Sequence, residues 1–443
     1  MHMGTKGKGS RTSTAPLWCA LFLAVSAVTT ACSGGGGDAT GDDKYSGPPR
    51  EVLQALPDID PPLDFEADGT PLGTYSPVSD LGLDYVVDDT AIYYLTDDTK
   101  LVSYDLATGR QRLSASFGSD DDLSLPAVSD GRVFVAYLAK VRGTGTQADR
   151  YMLRVQALDA KRGKTLWTTN IAKKYSDDLE AQSGSGMQVF AADAKHIVVT
   201  ASLGLDTYTA VLTAEDGKTL WEDPSFVPVA FDGQVVAGQE ASAQEYGVQP
   251  EGRAVADGSR LWKLPAAVPG EEELASWGTV GGVQETDSTH QSYLAVDIDE
   301  PSAVDPPPHV LLYRVADGKL FLGLDGDIPR ASDPGVCRHD GQRTIVCGTD
   351  RVAVAYDDRS GKKLWKLPDK AAGRVAPEVT AVRHGIVYGS TDNGAVALDA
   401  RTGQDKATDL AIAPEYVGRG FGIAPKGESG DDQLELYLHP ATD

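Results

Sequence analysis

One unit, written again and again along the chain, constrains the fold more than any other feature. Its clearest copy, Val352–Pro368, reads VAVAYDDRSGKKLWKLP. Val352, Val354 and Tyr356 recur at period two, the mark of a half-buried strand. Asp357–Gly361 supplies turn chemistry, since an Asp side chain accepts from backbone two residues on and Gly tolerates positive φ. Lys363–Leu367 is a second short strand carrying Trp365. The same unit returns as LVSYDLATGRQRL at Leu101, VQALDAKRGKTLW at Val155, AVLTAEDGKTLW at Ala210, RAVADGSRLW at Arg253, LLYRVADGKLF at Leu311 and AVALDARTGQDK at Ala395. Its turn glycines are Gly109, Gly163, Gly217, Gly258, Gly318, Gly361 and Gly403, spaced by 54, 54, 41, 60, 43 and 42 residues. A degenerate eighth copy, LELYLHPATD, lays His439–Asp443 over Asp399–Gly403 forty residues later. Short strands at such a period predict an all-β propeller, whose blades bury their faces only against one another. The copy number predicts eight four-stranded antiparallel blades, with seven as the alternative.

Each repeat reads as a four-stranded meander. In the sixth, strands A to D fall at Pro334–Arg338, Thr344–Gly348, Val352–Tyr356 and Lys363–Leu367. In the first they fall at Leu83–Val87, Ala91–Leu95, Leu101–Tyr104 and Gln111–Ala115. The eighth repeat has only three strands. A segment within 61–79 is predicted to supply its fourth and close the ring, which removes two sheet edges at once.

The first residues lie outside the fold. Lys6, Lys8 and Arg11 precede the apolar run Ala15–Val28, too short to span a membrane as a helix and typical of a secretion signal. Thr29, Thr30 and Ala31 then lead to Cys32. This resembles the lipobox of bacterial lipoproteins, in which the cysteine becomes the lipidated first residue; Thr29 departs from the usual aliphatic residue. The resemblance implies export and anchoring by lipid to the outer face of the cell membrane. Residues 32–60, rich in Gly, Asp and Pro, read as a flexible tether. The organisation is therefore a signal at 1–31, a tether at 32–60 and a propeller at 61–443.

Beyond Cys32 the mature chain keeps only Cys337 and Cys347. They flank a hairpin between strands A and B, and in an exported protein this predicts a structural disulfide. The spacing is not that of a CxxC redox or zinc site. Six mature histidines are scattered with no HxH or HExxH spacing, and no nucleophile elbow, phosphate loop or dinucleotide fingerprint appears.

The D-x-x-[TS]-G-K-x-L-W unit resembles the repeat of the pyrroloquinoline-quinone-type propeller superfamily. That group includes quinoprotein dehydrogenases, a lipoprotein of the outer-membrane β-barrel assembly machinery and sensor domains of membrane kinases. The resemblance implies that a Trp of each unit docks between adjacent blades. That role falls on Trp167, Trp221, Trp262 and Trp365, with Phe321 substituting in the fifth blade. The quinone itself is not expected: the dehydrogenases typically carry a vicinal cysteine pair, absent here, and no motif supplies ligands for Ca²⁺.

Charge narrows the partners. Without residues 1–31 the chain carries 37 basic and 65 acidic side chains, a formal net charge of −28. This disfavours nucleic acid and anionic lipid headgroups as partners and leaves the N-terminal lipid as the only expected membrane contact. In a meander the C–D turns and A–B loops share one end of the blade, and the B–C and D–A connections the other. Insertions concentrate at the latter end, at Lys140–Arg150 and Asp297–Pro308. Arg142, Glu272, Asp299 and Glu300 are the candidate contacts there for a protein or peptide of the cell envelope, basic in character. The functional reading is a monomeric, non-catalytic, membrane-anchored propeller serving envelope assembly or sensing. Its alternative is an enzyme, either a quinoprotein-like oxidoreductase or a carbohydrate-active propeller.

Overall fold

The computed structural model describes residues 56–443 except 76–84, 97–99, 109, 118–122, 148, 174–186, 204–205, 241–248, 266–275, 283, 286–290, 300–309, 325–336, 350 and 427–433. Cys32, Gly109, Glu272 and Glu300 lie outside the described residues, as does the side chain of Asp299.

Eight sheets succeed one another along the chain, each with four antiparallel strands. Blade 6 shows the pattern: Cys337–His339, Thr344–Gly348, Ala353–Asp357 and Lys363–Leu367 are its strands A to D. It also carries an addition that the sequence did not suggest. Gln284 and Glu285, from the A–B connection of blade 5, pair in parallel with Arg338 and His339 along its free inner edge. Blade 8 is completed from the other end of the chain. Thr70–Tyr75 pairs antiparallel with Leu434–Pro440, so the first strand of the sequence is the outermost strand of the last blade. The first strands of neighbouring blades lie against one another, which puts strand A nearest the axis.

The period-two pattern has a stronger meaning than half-burial. All five residues of Ala353–Asp357 are buried. Val352, Val354 and Tyr356 pack with Leu312, Phe321 and Leu324 of blade 5. Ala355, pointing the other way, packs with Val382, Val387 and Leu398 of blade 7. Large and small residues alternate because one face meets each neighbour. The buried apolar residues accordingly fall into eight clusters, one for every blade-to-blade interface, including that of blade 8 with blade 1. A ring in which every face is covered needs no separate central core.

The tryptophans join these interfaces by a repeated contact. The Trp167 indole N–H donates to the Ala214 carbonyl at 3.1 Å, Trp221 to Val255 at 3.0 Å, and Trp262 to Val315 and Trp365 to Ala400 at 2.8 Å. Each acceptor stands three residues before a turn glycine of the following blade. The ring lies so close to that glycine that a Cβ on Gly217 would sit 2.6 Å from Trp167, and one on Gly318 2.5 Å from Trp262. Turn glycines thus serve two needs, a positive φ and room for the indole. Phe321 has no donor, and there the Tyr293 hydroxyl donates to the corresponding carbonyl, that of Asp358, at 2.8 Å. Tyr293 and Phe321 are themselves in ring contact, 4.9 Å between centroids.

Ring closure is reinforced by charge. Arg383, the largest fully buried side chain, pairs with both carboxylate oxygens of Asp60 at 2.7 and 3.2 Å. It also reaches Asp89 at 3.1 Å and donates to the Val417 carbonyl. Blades 7, 8 and 1 and the segment preceding the first strand therefore meet at one guanidinium. Leu56 and Ile59, from the stretch read as tether, pack against the last interfaces. Burial would raise the Asp60 carboxyl, but the Arg383 guanidinium, aided by His384, outweighs it and holds the group below its ordinary value.

The predicted disulfide is present in blade 6. Cys337 and Cys347 face each other in register on strands A and B, with Cα atoms 4.0 Å apart.

Two predictions follow from these contacts. Gly217→Ala is expected to destabilise by about 2–4 kcal/mol, because it adds a clash with Trp167 to the cost of positive φ. Gly131 has the same φ of 69° but open space around it, so Gly131→Ala should cost about 1 kcal/mol. Urea unfolding of both variants measures the difference. Asp60→Asn removes one of the carboxylates that face a buried guanidinium and should cost about 2 kcal/mol near neutrality. Since the folded carboxyl is depressed, its contribution is present above about pH 4 and is lost as pH falls through the folded value. The stability gap between parent and variant should therefore close in acid.

Candidate functional site

The insertion at Lys140–Arg150 forms the tip of a long two-stranded ribbon. Strands B and C of blade 2, Arg132–Val141 and Arg150–Asp159, are paired along all ten residues of each. Val133–Ala139 is a continuous run of buried apolar residues, which holds the base of the ribbon in the blade. Its tip is closed by Asp149, which accepts from the Gly143 amide at 2.9 Å and lies 3.5 Å from the Lys140 ammonium. The Gly143 hydrogen bond is the main reason the Asp149 carboxyl sits below its ordinary value, with Lys140 adding to it. Arg142 is exposed on this tip.

Asp299 is the last residue of strand B in blade 5, Tyr293–Asp299, opposite Ser276 in the register. Blades 3 and 4 separate it from Arg142, so the two do not form one cluster. Glu272, Glu300 and most of the acidic D–A connections fall outside the described residues, so no grouping of the four predicted contacts is visible.

The described ionisable side chains are largely engaged in holding the ring. Asp357 accepts from the Ser360 hydroxyl and amide and faces Arg343 and Arg401 at 3.1 and 3.3 Å. The Ser360 hydrogen bond, with the two arginines, pushes its carboxyl down to about 2. Arg253 bridges Asp223 of blade 3 and buried Glu251 of blade 4, at 2.6 and 2.7 Å, over the Phe226 ring. Nearer the axis, Arg338, Glu378 and Glu415 belong to the inner strands of blades 6, 7 and 8 or their edges. Burial raises the Glu415 carboxyl and lowers Arg338. Among the described residues no three His, Cys, Asp or Glu side chains converge as metal ligands would.

Arg383 and Asp60 escaped the sequence reading. The available signal was positional. A–B hairpins carry Asp-Gly at 232–233 and 340–341, where Asp232 and Asp340 accept from the amides that follow. Blade 7 writes Arg-His-Gly instead, at 383–385, and its positive charge is met by an acid from the far end of the chain.

With eight blades in place, four of them linked onward by Trp, comparison with known families is decisive. A family model described as outer membrane protein assembly factor BamB matches residues 63–169, 151–280 and 254–411. The chain belongs to this BamB-type family of pyrroloquinoline-quinone-like propellers. No curated protein matches its sequence. Solved structures with which it aligns include BamB from Moraxella catarrhalis, at 13% identity over 83% of this chain and 97% of that one, TM-score 0.40. Quinohemoprotein alcohol dehydrogenase from Comamonas testosteroni aligns at 13% identity over 87% and 76%, TM-score 0.42. Sqt1 from Saccharomyces cerevisiae aligns at 11% identity over 84% and 99%, TM-score 0.44.

Asp149→Ala should raise amide hydrogen exchange across 142–149 and leave global stability within about 0.5 kcal/mol, since the pair is exposed and local. Exchange detected by mass spectrometry reads the first effect and urea unfolding the second.

Proposed function

We propose that this BamB-type propeller is a non-catalytic lipoprotein, anchored at Cys32 outside the cell membrane, that holds a protein or peptide partner during envelope assembly. The observation that carries the reading is the family match across most of the propeller, to a model whose description is an assembly factor. The mouth carrying the B–C and D–A connections is the docking face, with Arg142 at the tip of the blade 2 ribbon and Glu272, Asp299 and Glu300 as acidic contacts. Acidic groups there favour a basic partner, speed its encounter and make the association weaken with salt. Neither the quinone nor Ca²⁺ forms part of this reading. The two cysteines of the propeller are bonded to each other ten residues apart rather than vicinal, and the described carboxylates serve turns and ion pairs.

Two measurements test it. Mass spectrometry of the membrane fraction should find a diacylated N-terminal Cys32, and Cys32→Ala should release the protein from that fraction. Partner capture from envelope extract should fall at least tenfold in the triple variant Glu272→Lys, Asp299→Lys, Glu300→Lys, and fall with rising salt in the parent. Capture unchanged by both salt and charge reversal would overturn the docking face.

A further inference from the structure

Six of the forty Lys and Arg residues fall within residues 359–374, RSGKKLWKLPDKAAGR, against a single acid, Asp369. The remainder of the chain is strongly acidic, so this concentration runs against its overall balance. Structurally the stretch is one continuous edge. It begins at the C–D turn of blade 6, follows the outermost strand Lys363–Leu367 and ends in the turn where Asp369 bridges to Arg374. Arg359, Lys362, Lys363 and Lys370 are exposed along it. Arg374 is paired with Asp405 of blade 7. Val375, which follows, is 55% exposed, one of the few large apolar side chains so placed.

Protection of a bare sheet edge is the ordinary reason for lysines on an outer strand. That does not account for this one. Outer strands differ in charge. Those of blades 2 and 5, Thr165–Ile171 (TLWTTNI) and Leu320–Gly323 (LFLG), carry none. That of blade 4, Arg260–Lys263 (RLWK), carries two cations but no described basic run beyond it. Here the basic run also continues beyond the strand, through Lys370 and Arg374.

We propose that this basic edge of blade 6 is a docking surface for anionic phospholipid headgroups, with Val375 as a shallow apolar contact. The occupant follows from charge complementarity together with position, and rests on the reading of Cys32 as the lipid-bearing residue. Cys32 stands only 24 positions before Leu56, so a lipid on it would keep the protein beside its membrane. A membrane is then the polyanionic surface that stays within reach. Charges beyond the Debye length, about 8–10 Å at physiological ionic strength, are screened. The acidity of the rest of the molecule therefore does not forbid a local basic contact, and basic residues near an anionic leaflet add their attractions.

The test uses the mature chain with Cys32→Ser, so that no acyl chain contributes. It is incubated with vesicles of phosphatidylglycerol and phosphatidylcholine, with pure phosphatidylcholine vesicles and with poly-glutamate, in 0.1 M salt. Sedimentation should show at least tenfold tighter partition onto the anionic vesicles than onto the neutral ones. The triple variant Lys362→Glu, Lys363→Glu, Lys370→Glu should lose that preference. Lys161→Glu, Arg162→Glu, Lys164→Glu, the same charge change on an exposed turn of blade 2, should keep it. Absence of binding to anionic vesicles, or equal loss in both variants, would overturn the proposal. So would capture of poly-glutamate without vesicle binding, which would assign the edge to an acidic polypeptide. None of these outcomes bears on whether Cys32 is acylated, which the mass measurement decides separately.

Discussion

The ring depends on a hydrogen bond that crosses from one blade to the next at five described interfaces. A blade has two apolar faces and no core of its own, so its strands are stable only when both faces are covered. Hydrophobic burial supplies that attraction but fixes neither register nor angle. The indole N–H of Trp167, Trp221, Trp262 or Trp365 fixes both, because it must meet one carbonyl in the turn of the following blade. The glycine three residues later lets the ring approach that carbonyl. Where blade 5 has Phe321 instead, Tyr293 satisfies the same carbonyl from a different strand. A buried acceptor that must be paired is thus met by whichever donor geometry allows.

Much of this was legible in the sequence because it repeats. Seven Asp-to-Gly turns and an eighth truncated copy gave the blade number, and the missing strand of the last blade demanded an N-terminal one. Cys337 and Cys347 could be paired because they flank a nine-residue hairpin and no other cysteine of the propeller competes. What was not legible is what happens once. Tyr293 compensating Phe321 is a contact between residues on different strands, outside the repeated Asp-to-Gly unit. Arg383 and Asp60 lie 323 residues apart, and only ring closure brings them together. The alternation in Val352–Tyr356 was visible, but its reading as half-burial missed that a blade has neighbours on both sides.

The candidate site is less legible for a related reason. Repetition marks the scaffold, whereas recognition resides in the departures from it. The long ribbon of blade 2 is one departure and the lysine-rich edge of blade 6 another. Under the two proposals made above, acidic connections would meet a basic partner and the basic edge an anionic membrane. The ion pairs at Asp357, Arg253 and Arg383 belong to the scaffold, since each joins neighbouring blades.

The most direct test of the cross-blade bond removes the donor and keeps the ring. Trp262→Phe deletes an indole N–H, and Tyr293→Phe deletes the hydroxyl that stands in for one. Each leaves a buried carbonyl unpaired, and each should cost about 1–2 kcal/mol in urea unfolding. If both variants unfold within about 0.3 kcal/mol of the parent, apolar packing alone holds the blades and the account is wrong.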